Sequence, residues 1–326
     1  MFELKPTGFM SDYFGAVYNG QHSQREGLMR KKILKIGELF CGPGGLAWGA
    51  LNANVLTKNI KYQIKHAWAN DYDLDSCLTY GRNICPDDRE SIICSDVKGL
   101  DISKLKPIDI FAYGFPCNDF SVVGERKGFN GTFGPLYTYG IKVLNYFTPS
   151  CFVAENVGGL RNANEGKAFT QILSDLQSAG TGYELTAHLY KFEDYGIPQT
   201  RHRMIIVGFK KDLGLKFTVP KPTHLDNYVS SRTAIECPPI PKDSANNEIT
   251  TQGKIVIERL KHIKPGENAW NSNLPPRLRL NVKNTKLSHI YRRLDPKKPC
   301  YTITGSGGGG THGYHWKEPR ALTNRE

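Results

Sequence analysis

The chain has 326 residues, enough for a large domain and a smaller one at about 100–200 residues per domain. Lys and Arg outnumber Asp and Glu 43 to 31, a formal net charge of +12 that favours a polyanionic partner such as nucleic acid over an acidic small molecule. No run approaches the ~18 apolar residues of a membrane span, and the eight cysteines form no Cys-x-x-Cys pair, so a spanning protein, a metal site and a disulfide framework are set aside and a reducing, cytoplasmic setting is expected.

Residues 1–30 show weak periodicity and close on Arg30-Lys31-Lys32, which reads as an N-terminal extension. From Ile33 an apolar run leads into the glycine turn Gly42-Pro43-Gly44-Gly45 and then Leu46-Ala47-Trp48-Gly49-Ala50, the pattern of strand, tight turn and helix start. Ala67 to Asn70, Ile92 to Cys94, Ile108 to Tyr113, Phe152 to Ala154 and Met204 to Gly208 read as buried strands of a parallel sheet. Phe169, Ile172, Leu173 and Leu176 fall at helical spacing, with Gly180 as the stop. Strands alternating with helices predict an α/β fold with a doubly wound, mostly parallel sheet over 31–209. After Gly208 the composition shifts to Pro, Lys and Asn, which predicts a second, smaller, irregular or β-rich domain over 210–326; its Gly305 to Gly310 stretch also reads as a plain linker.

Candidate chemistry clusters where strands end. Gly114-Phe115-Pro116-Cys117 sets a thiol on a Pro-preceded turn directly after a strand, where an exposed, electropositive seat makes a cysteine nucleophilic; the alternative is a buried structural cysteine. Gly42, Gly44 and Gly45 suit close backbone approach to a ligand. Asp71 can accept hydrogen bonds from ribose hydroxyls, Tyr72 offers a face to adenine, and Asp96 can take the adenine amino group. No phosphate-binding lysine accompanies the glycines, so the pocket suits an adenosine without phosphate. Glu155, Arg201 and Arg203 border two further strands; in isolation such residues are more often caps or solvated charges.

In order, ELFCGPGG (38–45), NDYD (70–73), SDV (95–97), GFPCNDFS (114–121), GPLY (134–137), ENV (155–157), YGIPQTRHR (195–203) and ALTNRE (321–326) resemble the DNA (cytosine-5) methyltransferases. The resemblance implies an S-adenosylmethionine-dependent methyltransferase fold and S-adenosylmethionine as cofactor, held by Phe40, Gly42, Gly44, Gly45, Asp71, Tyr72, Asp96, Pro116 and Leu136. It implies that Cys117 adds to ring position 6 of a flipped cytosine in double-stranded DNA, with Glu155 at ring nitrogen 3 and the exocyclic amine, Arg203 at the carbonyl oxygen, and Arg201 buttressing the loop. Ser121, Arg126 and Lys127 would meet DNA from the catalytic loop. Thr302, Gly307 and Gly308 would belong to a recognition loop in the target-recognition domain. By analogy the enzyme would guard host DNA beside a restriction endonuclease; an inactive DNA-binding remnant and a transfer-RNA methyltransferase are the alternatives. Because ALTNRE ends inside a family element, a second polypeptide or a truncated product is also expected. Asn118 stands where the family most often has glutamine.

Overall fold

The computed structural model describes residues 30–116, 136–281, 289–303 and 310–326. Along the chain come β1 (Arg30–Leu39), α1 (Gly45–Asn52), β2 (Asn54–Leu56), β3 (Ile60–Asp71), α2 (Leu74–Asn83), β4 (Ile92–Cys94), β5 (Ile110–Tyr113), α3 (Tyr137–Phe147), β6 (Cys151–Val157), α4 (Lys167–Ser178), β7 (Tyr183–Lys191), β8 (Gln199–Thr200) and β9 (His202–Lys210). Eight of these strands form one sheet in the order β2-β3-β1-β5-β6-β9-β7, with β4 also on β3. The pairs β1–β3, β1–β5, β3–β4 and β5–β6 are parallel, so the expected mostly parallel sheet is present. The chain leaves β1 toward β3 and β4 and later returns to its other side with β5 and β6. That reversal opens a crevice beyond the carboxyl ends of β1 and β5, where such sheets hold ligands.

One sequence expectation fails in direction. Met204 to Gly208 is not a parallel strand; it lies in β9, antiparallel to both β6 and β7. The link from β7 to β9 runs through a single 3₁₀ turn, Phe192–Tyr195, and a tight return. A link this short cannot make the helical crossover that a parallel pair needs.

The main core fills one face of the sheet. Leu39, Phe111, Tyr113, Phe152, Ala154, Met204 and Ile206 from the strands meet Val143 and Leu144 of α3 and Ala168, Ile172 and Leu176 of α4. The 3.6-residue spacing read from 169–176 is therefore the buried stripe of α4, and Gly180 at φ 55 ends it. Gly140 and Gly208 make this packing possible, because a methyl on either would run into the rings of Tyr113 and Phe152 respectively. On the other face Leu46 and Ala50 of α1 cover Ile36, Ile110 and Ala112, while Tyr80 of α2 packs on Cys41, Ala47 and Ala69.

Beyond β9 lie α5 (Ser231–Glu236), α6 (Lys254–Lys261) and β10 (Cys300–Tyr301), which pairs in parallel with β8. Among the described residues β10 is the only named strand after Lys210, so this segment is irregular rather than β-rich. It has an apolar cluster of its own around Leu260, Ile263, Leu274, Leu278 and Tyr314. Backbone carbonyls without a ladder still need donors when buried. Arg293 supplies them: its guanidinium donates to Leu260 O, Ile263 O and His315 O at 3.0 Å and to Trp316 O at 2.5 Å. Burial lowers the pKa of Arg293 from its ordinary value.

Candidate active site

The crevice begins at Phe40. Its φ of 54 is rare for a residue with a side chain and turns the chain out of β1; Gly42 (φ 51) and Gly44 (φ 98) continue the turn into α1. Asp71, at the end of the neighbouring β3, holds that turn: Gly42 N donates to its Oδ2 at 2.8 Å and Asp73 N to its Oδ1 at 3.0 Å. The carboxylate assigned to ribose thus has a structural task, tying the glycine turn to the next strand. Tyr72 beside it is 75% exposed, leaving its ring free to stack. Asp96 is exposed, and its Oδ1 accepts from Lys98 N at 2.9 Å, capping the turn after β4. Asn70, which sequence reasoning passed over, is buried and donates to Ile93 O (2.8 Å) and Ser95 O (2.9 Å), fixing the β3–β4 corner under that pocket. Pro116 is half-buried, whereas Leu136 belongs to the main core.

Across the crevice, β6 alternates: Phe152, Ala154 and Asn156 enter the core and Glu155 faces the opposite side. Val157 is the register partner of Arg203, so Glu155 and Arg203 share one face on a diagonal, and Arg203 Nε lies 2.7 Å from Glu155 Oε1. Both side chains are mostly enclosed, at 25% and 15% exposure, which strengthens their interaction relative to a surface pair. The second carboxylate oxygen, Oε2, points at Gly114. A Cβ on that glycine would sit 3.4 Å from Oε2 and 4.0 Å from Phe40 O, filling the gap between the carboxylate and the end of β1.

Asn156, to which the sequence reading gave no role, supports the site from beneath. It is 2% exposed; its Nδ2 donates to Phe115 O at 3.1 Å and its Oδ1 accepts from Val157 N at 2.8 Å. One buried amide therefore anchors the backbone two residues before Cys117 to the strand that carries Glu155. Its adjacency to Glu155 was the available signal, but only the β5–β6 pairing shows which carbonyl it meets.

Glu193 organises the arginine strand. This nearly buried carboxylate lies 2.7 Å from His202 Nε2 and accepts from Arg201 N at 3.3 Å. Arg201 is half-buried, and burial, with Arg203 nearby, lowers its pKa while Glu155 opposes the shift. Thr302 Oγ1 donates to Thr200 O at 2.8 Å, and β10 pairs with β8, so the stretch before the glycine run is fastened beside Arg201. Cys117, Ser121, Arg126, Lys127, Gly307 and Gly308 lie outside the described residues. Among the described residues no group of three or more His, Cys, Asp or Glu side chains could hold a metal ion.

A family model described as C-5 cytosine-specific DNA methylase matches residues 34–326. The chain belongs to this family. It is 58% identical over 297 residues to the Type II methyltransferase M.BbvI of Brevibacillus brevis, covering 89% of this chain and 79% of that protein. It is 38% identical over 301 residues to the Type II methyltransferase M.NgoFVII of Neisseria gonorrhoeae, covering 90% and 75%. Among solved structures, a protein assigned as a DNA modification methyltransferase encoded within an E. coli prophage superposes with a TM-score of 0.64 at 22% identity, over 90% of this chain and 86% of that one, a likeness of fold. This methylase is thus an enzyme of cytosine methylation in DNA. The transfer-RNA alternative and the second polypeptide gain no support from these relatives. No helix among the described residues of the methylase is long and apolar enough to cross a membrane.

Proposed function

We propose that the chain is the methyltransferase of a cytoplasmic restriction-modification system, acting on double-stranded DNA through Cys117 with S-adenosylmethionine as methyl donor. The observation that carries the reading is the Glu155–Arg203 pair, set against Gly114 on the strand next to the Cys117 turn. The cradle suits the donor: Gly42 and Gly45 have open space where a Cβ would stand, so a ligand can approach their backbone closely, and the Tyr72 ring and Asp96 are exposed beyond the neighbouring strands. Phe40, Gly42, Gly44, Gly45, Asp71, Tyr72, Asp96 and Pro116 would hold it, with Leu136 supporting the wall from the core. When bound, S-adenosylmethionine supplies an electrophilic methyl group.

Cytosine is a weak nucleophile at position 5. The Cys117 thiolate adds to position 6, and electron density moves onto the ring toward position 5 and nitrogen 3. Glu155 holds the proton at nitrogen 3 and accepts from the exocyclic amine, while Arg203 donates to the ring carbonyl as charge builds there. Position 5, made nucleophilic by this addition, would take the methyl group, and loss of the position-5 proton to a base then restores the ring double bond and expels the thiolate. The base reaches this site only by leaving the duplex, at a cost of a few kcal/mol that contacts to phosphate from Ser121, Arg126 and Lys127 help to offset. Thr302, Gly307 and Gly308 would approach base edges from the recognition segment.

The test is a duplex carrying 5-fluorocytosine with S-adenosylmethionine. Fluorine blocks elimination, so a working thiolate leaves a covalent adduct on a denaturing gel. Adduct with the wild-type chain and none with Cys117→Ser supports the reading; DNA retardation without adduct would leave an inactive binder in its place.

A further inference from the structure

Beyond β9 the charge of the chain is uneven. Between Asn268 and Lys317 the one carboxylate is Asp295, against nine lysines and arginines. Asp295 is already engaged: its Oδ1 accepts from Lys297 N at 2.9 Å, and its Oδ2 lies 3.8 Å from Lys298 Nζ. Arg232, Arg259, Arg277, Arg279, Arg293 and Arg320 each reach a carbonyl or a carboxylate. Arg292 differs. Among the described residues its guanidinium forms no hydrogen bond and no ion pair; its Cζ stands 4.6 Å from the centroid of the Tyr301 ring, and the residue is half-buried. The ring face attracts the cation, but the N–H donors of the fork are left to water or a ligand.

The place of this cation is fixed. Arg292 N donates to His289 O at 3.1 Å, and Arg292 O accepts from Tyr301 Oη at 2.8 Å. Tyr291 N donates to Gly310 O at 2.6 Å, so residues 291–292 are tied both to β10 and to Gly310, where the glycine stretch ends. Tyr301 is in turn the register partner of Thr200 on β8, and Thr302 Oγ1 donates to Thr200 O. The Arg292 side chain therefore rests on a strand fastened one residue from Arg201. A cation already held in position loses little freedom on meeting an anion. Base edges carry no net charge and offer donors as well as acceptors, whereas a phosphate is an anion whose two oxygens match the guanidinium fork. The excess of cations around Arg292 favours the phosphate.

We propose that Arg292, seated on Tyr301, is a phosphate-binding residue that grips the backbone of duplex DNA beside the recognition segment and sets its register on the Arg201 side of the crevice. Such a contact carries no sequence information; it positions the duplex. The proposal rests on the reading of duplex DNA as the substrate.

The experiment measures, by fluorescence anisotropy, the affinity of the full chain for several labelled duplexes of equal length and unrelated sequence, between about 50 and 200 mM salt. Arg292→Gln should weaken binding to all of them alike and lower the slope of log affinity on log salt by about 0.9, the loss of one phosphate contact. The advantage of wild type over this variant should thus shrink roughly 3.5-fold from the lower salt to the higher. Arg292→Lys keeps the charge and should keep the wild-type slope. Thermal unfolding of the same proteins is followed in parallel. An unchanged salt slope in Arg292→Gln overturns the proposal, and a lowered melting temperature beside it would leave Arg292 as a brace for Tyr301. Weakening confined to one duplex sequence overturns it in favour of a base contact. Wild-type chain that binds none of the duplexes overturns the substrate reading and this contact with it, an outcome distinct from a wild-type complex that Arg292→Gln leaves intact.

Discussion

Glu38 lies in the first motif of the crevice, yet its side chain is 1% exposed. Burial pushes its pKa up to about 8, against a lowering hydrogen bond with Tyr80 and with a further rise from Asp71. Tyr80 Oη is 3.1 Å from Glu38 Oε2 and 3.2 Å from His66 Nδ1, and His66 Nε2 is 2.7 Å from Ser91 Oγ, which reaches Asp88 O. With Glu38 protonated, every donor in this chain has an acceptor: Glu38 to Tyr80, Tyr80 to His66, His66 to Ser91, Ser91 to Asp88 O. Ionising Glu38 reverses Tyr80 and His66 and leaves Ser91 with two acceptors and one proton. The sign follows. The folded pKa is above the unfolded one, so the folded state holds a proton that the unfolded state has lost, and stability declines as pH rises from about 4.5 to about 8. His66, lowered to about 4 mainly by burial, acts in the other direction, but only below about 6.5. Between pH 6.5 and 8 Glu38 therefore dominates this network, and at ~1.4 kcal/mol per pH unit it removes roughly 2 kcal/mol. Glu38→Gln keeps a donor toward Tyr80 and cannot ionise. Urea unfolding of both proteins at pH 6.5 and 8 should show the variant gaining about 2 kcal/mol relative to wild type over that interval. Parallel pH profiles would mean that Glu38 is already charged in the fold and that the ordered proton chain is wrong.

Three further outcomes are expected. Asn156→Ala leaves Phe115 O without its donor in a buried place, lowering stability by about 1–3 kcal/mol; because that carbonyl fixes the approach to Cys117, 5-fluorocytosine trapping should slow while S-adenosylmethionine affinity stays within twofold. Trapping at the wild-type rate would reduce Asn156 to a core amide. Arg203→Lys removes the Nε contact with Glu155 and the planar fork, and should slow trapping by roughly 10²-fold with non-target DNA affinity preserved, as measured by gel retardation and single-turnover kinetics. Arg293→Met removes the side-chain donor from four buried carbonyls, of which Leu260 O keeps a backbone donor, and should cost about 3 kcal/mol or more in thermal or urea unfolding; a stable variant would show that water can replace the guanidinium.

Much of the site was legible because its chemistry lies in short, local signals. Glycines at 42 and 44 announce a turn that only positive φ allows, and the structure has both there. The apolar runs at 92–94, 108–113 and 152–154 fall in β4, β5 and β6, most plainly in β5, which is buried on both faces between two parallel neighbours, and the spacing of Phe169 to Leu176 became α4 because a helix on a sheet buries one stripe. Other features carry no local signature. Glu38 looks like an ordinary carboxylate until Tyr80, 42 residues away, closes over it.

By itself, the order of residues settled the family and the chemical identity of the groups at the strand ends, since bond-forming groups and tight turns are properties of a few adjacent side chains. Folding decided the direction of β9, the diagonal that joins Glu155 to Arg203, the anchoring of Phe115 by Asn156 and the attachment of Thr302 beside Arg201. Each of these depends on which distant strand lies alongside, and pairing is chosen by the packing of the whole sheet, which no stretch of neighbouring residues encodes.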